Sequence, residues 1–169
     1  MDIDISTLPT PSYLVDQRLL IKNLELLASV KERTGCKILL AQKAFSMFSV
    51  YPLIAKYLDG VTSSGVMEAR LGYEEMGKEV HTYAPAFADH EMDDVIRYSD
   101  HIVFNSFHQW NKFKDKVKSS GKQIECGLRL NPKYSEIDTD IYNPCFTGSR
   151  LGITPEQFQP DQLDGIDGL

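Results

Sequence analysis

Lys37-Ile38-Leu39-Leu40-Ala41-Gln42-Lys43 (KILLAQK, residues 37–43) is the stretch that decides the architecture. Lys37–Ala41 reads as a continuous apolar strand, the kind buried on both faces of a parallel sheet. Upstream, Gln17–Arg33 places Leu20, Leu24, Leu27 and Val30 at helical spacing, and Gly35 stops that helix. Before it, Pro9-Thr10-Pro11 ends a polar leader and Ser12–Asp16 (SYLVD) reads as a strand.

Downstream the cycle repeats. A helix is predicted over Val50–Leu58, with Val50, Ile54, Tyr57 and Leu58 inward, then a strand over Gly60–Ser63. Val66–Met76 is a helix stopped by Gly77, Glu79–Ala84 a strand, and Asp89–Tyr98 a helix capped by Asp89. His101–Phe104 is a strand, and Ser106–Ser119 a helix with Phe107, Trp110, Phe113 and Val117 on its apolar face. Ile124–Leu130 is the last clear strand, followed by a loop over Asn131–Gly148. Thr154 and Pro155 have the residue types of an N-cap and a first helical position. No exact repeat appears.

Five strands alternating with helices imply an α/β fold with a parallel sheet. Periodicity leaves a doubly wound sheet and part of a (β/α)8 barrel both open. Polar residues after the strand ends favour the barrel: Lys43, Ser63-Ser64, Pro85, Asn105 and Asn131 stand where barrel active sites form. A whole barrel takes about 250 residues, so a chain of 169 residues is expected to hold only part of one.

Composition excludes several classes. A net charge of −6 without a basic run argues against nucleic acid. The longest apolar run, Ile38–Ala41, is too short to cross a membrane, and the N-terminus lacks a signal-peptide pattern. Cys36, Cys126 and Cys145 form no zinc or disulfide pattern, which suits reduced thiols in a cytoplasmic protein. His81, His90, His101 and His108 show no metal-ligand spacing, so no metal is expected. GxGxxG, GxxxxGK[ST] and GxSxG motifs are also lacking.

Lys43 is the first candidate for chemistry. At a strand end inside a barrel mouth it would be partly desolvated, making a neutral amine available for a Schiff base; the alternative is a lysine reaching into water. Arg129, inside the apolar strand CGLRLN, needs an acceptor such as a phosphate, a carboxylate, or an internal partner like Glu68 or Glu125. Arg150 lies in the short SRLG segment. Thr62-Ser63-Ser64-Gly65 offers hydroxyls and amides at a helix start, suited either to an anion or to a simple cap. The acidic loop Glu136–Asp140 is either a site for ammonium groups or a solvated loop.

The opening TPSYLVD (residues 10–16), then a helix, then KILLAQKAF with Lys43, resembles the alanine racemase-like, fold-type III pyridoxal-phosphate enzymes. Within that superfamily the chain most resembles the carboxynorspermidine (carboxyspermidine) decarboxylase family. The blocks are KILLAQKAFSMFSVYPLI, SSGVMEARLG, EVHTYAPAF, DHIVFNSFHQW, GLRLNPKYSEIDTDIYNPC and GSRLG, in order along almost the whole chain. The resemblance implies the N-terminal portion of a (β/α)8 barrel, about five strands of it, over residues 1–169. It implies pyridoxal 5'-phosphate on Lys43, with Arg129 and Arg150 as further cofactor-binding candidates; Ser64, from the Thr62–Gly65 anion reading, is another cofactor-binding candidate. It also implies decarboxylation of a carboxylated polyamine to norspermidine or spermidine, by a cytoplasmic homodimer in the complete enzyme. The remaining strands, a glycine-rich phosphate loop, a stacking histidine and a C-terminal β-domain are expected outside this sequence. Alternatives are another fold-type III enzyme (a diaminopimelate or ornithine decarboxylase, or an amino-acid racemase), or an inactive fragment serving as a binding module. KAFSMFSV and the loop NPKYSEIDTDIYNPC argue against the former.

Overall fold

The computed structural model describes residues 4–169. Its sheet is built from β1 (Leu39–Ala41), β2 (Gly60–Ser63), β3 (Glu79–Tyr83), β4 (His101–Phe104) and β5 (Glu125–Leu128). Every neighbouring pair is parallel, and the spatial order is β1-β2-β3-β4-β5. That order resolves the ambiguity left by the periodicity. A doubly wound sheet reverses its strand order at a switch point; here each strand adds on the same side of the last. With right-handed crossovers, this places the helices on one face of a sheet that forms part of a barrel wall.

Five helices stand between or before the strands: α1 (Gln17–Thr34), α2 (Tyr51–Ile54), α3 (Val66–Leu71), α4 (Met92–Tyr98) and α5 (Phe107–Ser119). Strand alternation sends Val61, Val80, Ile102, Phe104, Cys126 and Leu128 to the helix side, where all are buried. Trp110 on α5 packs against Phe104 with ring centroids 5.4 Å apart. A second cluster gathers Tyr51, Ile54, Val61 and Val80 under α1 and α2. The opposite face carries Glu79, His81, Tyr83, His101 and Val103, all half-buried.

Local signals explain the helix ends. Asp16 caps α1 by accepting from the amides of Arg18 and Leu19, and Gly35, at φ 71°, ends it in the left-handed region. Ser106 caps α5 by accepting from the Gln109 amide. Thr154 and Pro155 start a 3-10 turn, Pro155–Gln157, with a capping box to Gln157.

Several expectations need correction. Ser12–Asp16 has no regular structure and pairs with no strand among the described residues, and Tyr13 is 95% exposed; β-forming residues make a strand only where a neighbour accepts their ladder bonds. The helix expected over 50–58 is regular only over Tyr51–Ile54, preceded by the 3-10 turn Phe48–Val50. The helix expected over 66–76 loosens into a π segment at Gly72–Met76. Gly72 sits so close to β2 that a Cβ there would lie 2.4 Å from the Val61 side chain. Asp89 does not cap α4, which begins at Met92; it pairs instead with Lys112. Leu27 on α1 is 36% exposed rather than buried. Among the described residues no helix is long and apolar enough to cross a membrane.

Candidate active site at the carboxyl ends of the strands

Lys43 follows β1 by two residues, in a turn closed by the amides of Ala44 and Phe45 donating to Ala41 O (3.0 and 3.1 Å). The ladder runs one step past the strand, because the Gln42 amide donates to Thr62 O (3.2 Å). Gln42 is buried beneath the turn. Its Nε2 donates to Ser63 Oγ and Glu68 O (both 2.8 Å), and its Oε1 accepts from the Tyr51 hydroxyl (3.2 Å). Burial pushes the Tyr51 phenol up to about 12, so it stays protonated and keeps the proton it donates. This network anchors the residue beside Lys43, while Lys43 itself is exposed. The expected desolvation is therefore not present: the polypeptide on either side of the turn leaves the amine in water. Among the described residues Lys43 joins no salt bridge. A groove of about 670 Å³ runs beside it, between Tyr13–Val15 and Ala44–Ser49.

Ser64 follows β2 and is exposed. Its amide donates to Glu68 Oε2 (2.7 Å). The Thr62–Gly65 segment thus takes its cap from α3's own carboxylate, which leaves the Ser64 hydroxyl, and not its amide, free to meet an anion.

Arg129 follows β5 and is half-buried. Its guanidinium lies 4.8 Å above the Tyr83 ring, and among the described residues it pairs with no carboxylate. The internal partners foreseen for it are engaged elsewhere, Glu68 with Ser64 and Glu125 with His101. Stacking on an aromatic face satisfies a guanidinium without using its N–H donors. Tyr83 is fixed in turn, because its hydroxyl donates to Asn105 Oδ1 (2.7 Å). The same oxygen accepts from the Gly152 amide (2.7 Å), and Asn105 Nδ2 donates to Arg150 O (2.8 Å). The Asn105–Tyr83 bridge therefore joins Arg129 to the backbone of Arg150. The Arg150 side chain is exposed beside a hollow of about 490 Å³.

Asn131 is buried, and it pins the returning loop by donating to Leu151 O (2.9 Å). Glu136, Asp138 and Asp140 are exposed. The structure thus gathers Arg129 and Arg150 through Asn105, and sets Lys43 and Ser64 at the same ends of β1 and β2. Sequence reasoning noted Asn105 only as a polar residue after a strand and missed Tyr83. Alternation along EVHTYA was the available signal, since Tyr83 shares a face with His81.

Such a site, at the carboxyl ends of parallel strands in a barrel wall, has the placement of a barrel enzyme's active site. The chain is 43% identical, over 95% of its length, to a carboxynorspermidine/carboxyspermidine decarboxylase of Campylobacter jejuni, of which it covers 41%. It is 43% identical over 93% of its length to the protein of the same name from Herminiimonas arsenicoxydans, covering 43% of it. It is 37% identical over 98% of its length to a carboxyaminopropylagmatine decarboxylase of Synechocystis, covering 42% of it. The crystal structure of the Campylobacter jejuni carboxynorspermidine decarboxylase, complexed with norspermidine, superposes with a TM-score of 0.82 at 40% identity. That superposition takes in 96% of this chain and 40% of that one. No protein-family model matches the chain. The likeness to the carboxynorspermidine/carboxyspermidine decarboxylases read from the sequence blocks is borne out, as is the partial α/β barrel. The chain spans about two-fifths of the length of these relatives.

Proposed function

We propose that the chain is the N-terminal portion of the barrel domain of a pyridoxal-phosphate-dependent decarboxylase, acting in the complete protein on a carboxylated polyamine. The observation that carries this reading is an exposed lysine, Lys43, closing the first of five sequentially ordered parallel strands in a chain 37–43% identical to such decarboxylases. The residues fit the cofactor in two respects. Lys43 offers an amine outside any ion pair among the described residues, and Arg129 offers guanidinium donors that Tyr83 orients but does not consume. Ser64 fits only through its hydroxyl, because Glu68 holds its amide. Arg150 is a weaker candidate, tied in by its carbonyl while its side chain reaches solvent.

Pyridoxal phosphate, when bound, supplies the electron sink for loss of a carboxylate next to an amine. This chain's residues attach and orient it. Lys43 provides the covalent anchor and a base or acid at its Nζ, and the Gln42–Tyr51–Ser63 network fixes the backbone from which that side chain extends. Arg129 sets a positive charge after β5, stacked on a Tyr83 ring that Asn105 fixes. The names of the relatives divide between carboxyaminopropylagmatine and carboxynorspermidine or carboxyspermidine. The substrate class proposed here is accordingly the carboxylated polyamine. A cytoplasmic homodimer for the complete protein belongs to the same reading.

The test is reduction with borohydride after incubation with pyridoxal phosphate, followed by a peptide map. An adduct confined to Lys43 is the expected result. No adduct, or labelling scattered over many lysines, overturns the assignment of Lys43 in this chain. For the full-length protein, release of carbon dioxide from carboxynorspermidine or carboxyspermidine, but not from diaminopimelate or ornithine, separates the proposal from its enzymatic rivals.

A further inference from the structure

Arg129, Tyr83, Asn105 and the segment after Arg150 close a ring of contacts at the carboxyl ends of β3, β4 and β5. On the backbone side, Ile153 donates its amide to Arg129 O and accepts from the Asn131 amide (both 2.8 Å), so this segment lies against the chain that carries Arg129. Gly152 permits that approach: at φ 81°, a Cβ there would lie 2.9 Å from Leu130 C, a backbone atom. On the other side, the Arg129 guanidinium rests 4.8 Å above the Tyr83 ring, and the Tyr83 hydroxyl meets Asn105. Asn105 then returns the path to the segment through Arg150 O and the Gly152 amide. Its own main chain is held by buried Gln109, whose Oε1 accepts the Asn105 amide (3.2 Å) while Nε2 donates to Pro85 O (3.1 Å).

The chemistry of this ring favours an amide over a carboxylate at position 105. Arg150 O can only accept and the Gly152 amide can only donate, which fixes Nδ2 toward the first and Oδ1 toward the second. With Oδ1 as its partner, the Tyr83 hydroxyl must donate. A carboxylate would keep both of those donors but set an oxygen against Arg150 O at 2.8 Å. It would also bring a negative charge to the edge of the ring that carries Arg129, whose guanidinium no carboxylate pairs with among the described residues. We propose that Asn105 is a positioning residue for Arg129: a neutral hub that holds the Tyr83 platform and leaves the guanidinium charge free for an anionic oxygen of the ligand. The inference rests on the cofactor reading above for that ligand, pyridoxal phosphate, which carries anionic oxygens on its phosphate and on its ring. A charge-assisted bond to either needs the guanidinium unneutralised and oriented. Asn105 meets both requirements while touching neither Arg129 nor the ligand.

The test is borohydride trapping at Lys43 over a range of pyridoxal phosphate and, separately, of pyridoxal, which lacks the phosphate. Asn105→Asp keeps two of the three hub bonds and adds a charge; Asn105→Ala keeps none and adds no charge. A merely structural hub would make Asn105→Ala the more harmful. Here Asn105→Asp should raise the half-saturating pyridoxal phosphate concentration at least tenfold and Asn105→Ala about threefold. The reverse order, or no rise in Asn105→Asp, overturns the inference. A rise for both compounds supports it with the ring oxygen at Arg129, and a rise for pyridoxal phosphate alone supports it with the phosphate there. Should Asn105→Asp lose its cooperative melt, Tyr83→Phe decides: it keeps the ring, frees it from Asn105 and should raise the concentration about threefold, and no rise overturns the inference. Should the unsubstituted chain give no Lys43 adduct, the cofactor reading falls, and the NMR resonance of Arg129 Nε–H decides alone. That resonance lies under the Tyr83 ring and must move in Asn105→Asp; one that stays in place overturns the positioning role.

Discussion

At the amino ends of the strands, Asp59, Asp100 and Asp167 each clamp the strand before them, whereas at the carboxyl ends one asparagine gathers what order there is. The three aspartates make the same pair of bonds. Asp59 accepts the Ile38 amide at its carboxylate (2.8 Å) and donates its own amide to Ile38 O (3.0 Å). Asp100 does this with Val80 (both 2.9 Å), and Asp167 with Cys126 (2.8 and 2.7 Å). Asp167 thereby leads Gly168 into a parallel bridge with Gly127. The other end has the Asn105 hub, the exposed Lys43 and the exposed Arg150. One end spends its polar groups on each other; the other leaves several available to a ligand. This is the division expected between the stability face and the reactive face of a barrel.

The largest effect that can break this contrast is expected at Gly60, beside Asp59. A Cβ there would lie 2.0 Å from Glu79 O, a backbone atom that cannot rotate away. Gly60→Ala must push β2 from β3 and should cost about 3 kcal/mol, read as a lower denaturant midpoint. A loss below about 0.5 kcal/mol would show the amino end to be more pliable than its hydrogen bonds indicate.

Asn105→Ala probes the other end. It strips partners from the Tyr83 hydroxyl, the Gly152 amide and Arg150 O at once. Half-buried groups left without partners should cost about 2 kcal/mol. Amide exchange should quicken at Gly152 while the Val80 amide, held by Asp100, stays protected. Loss of protection at both would mean that the two ends are one cooperative unit.

These contrasts show what could be read in advance. The Gly35 stop of α1, the apolar face of α5 and the polar residues after each strand are local patterns. Lys43, Ser64 and Asn105 were singled out from them, as Arg129 was by its charge inside an apolar strand, whereas the Asp16 cap of α1 was not read. The Arg129–Tyr83 stack, the His81–His101 pair and the repeated aspartate clamp were not, because each depends on which residues the parallel register sets side by side. Spacing along the chain carries no such information. SYLVD failed for the same reason in reverse: its composition suits a strand, but pairing is a property of two segments.

A smaller effect separates the ends by pH. Burial pushes the Asp59 carboxyl upward, but the Lys31 ammonium (2.7 Å) and the Ile38 amide outweigh it and hold the group below the usual carboxylate range. A carboxyl depressed in the folded state contributes stability that is full above its unfolded value near 3.9 and is lost as pH falls through the lower folded value. Acid should therefore loosen the amino end of β1 and β2. Asp59→Asn, which cannot ionise, should cost about 1 kcal/mol at neutral pH and flatten that part of the acid limb. An unchanged acid limb would remove Asp59 as its source.

The smallest expected change in stability is at Lys43, and it sharpens the comparison most. The side chain is exposed and outside any ion pair among the described residues, so Lys43→Ala should move the unfolding midpoint by no more than about 0.5 kcal/mol. The turn beneath it is held by backbone bonds to Ala41 and by Gln42, none of which involve the lysine side chain. The same substitution should abolish the borohydride-fixed pyridoxal-phosphate adduct. A residue that is silent in folding yet required for covalent attachment is retained for chemistry. If Lys43→Ala instead destabilises the chain by 2 kcal/mol or more, the lysine is part of the fold, and the reactive face must be sought elsewhere on the strand ends.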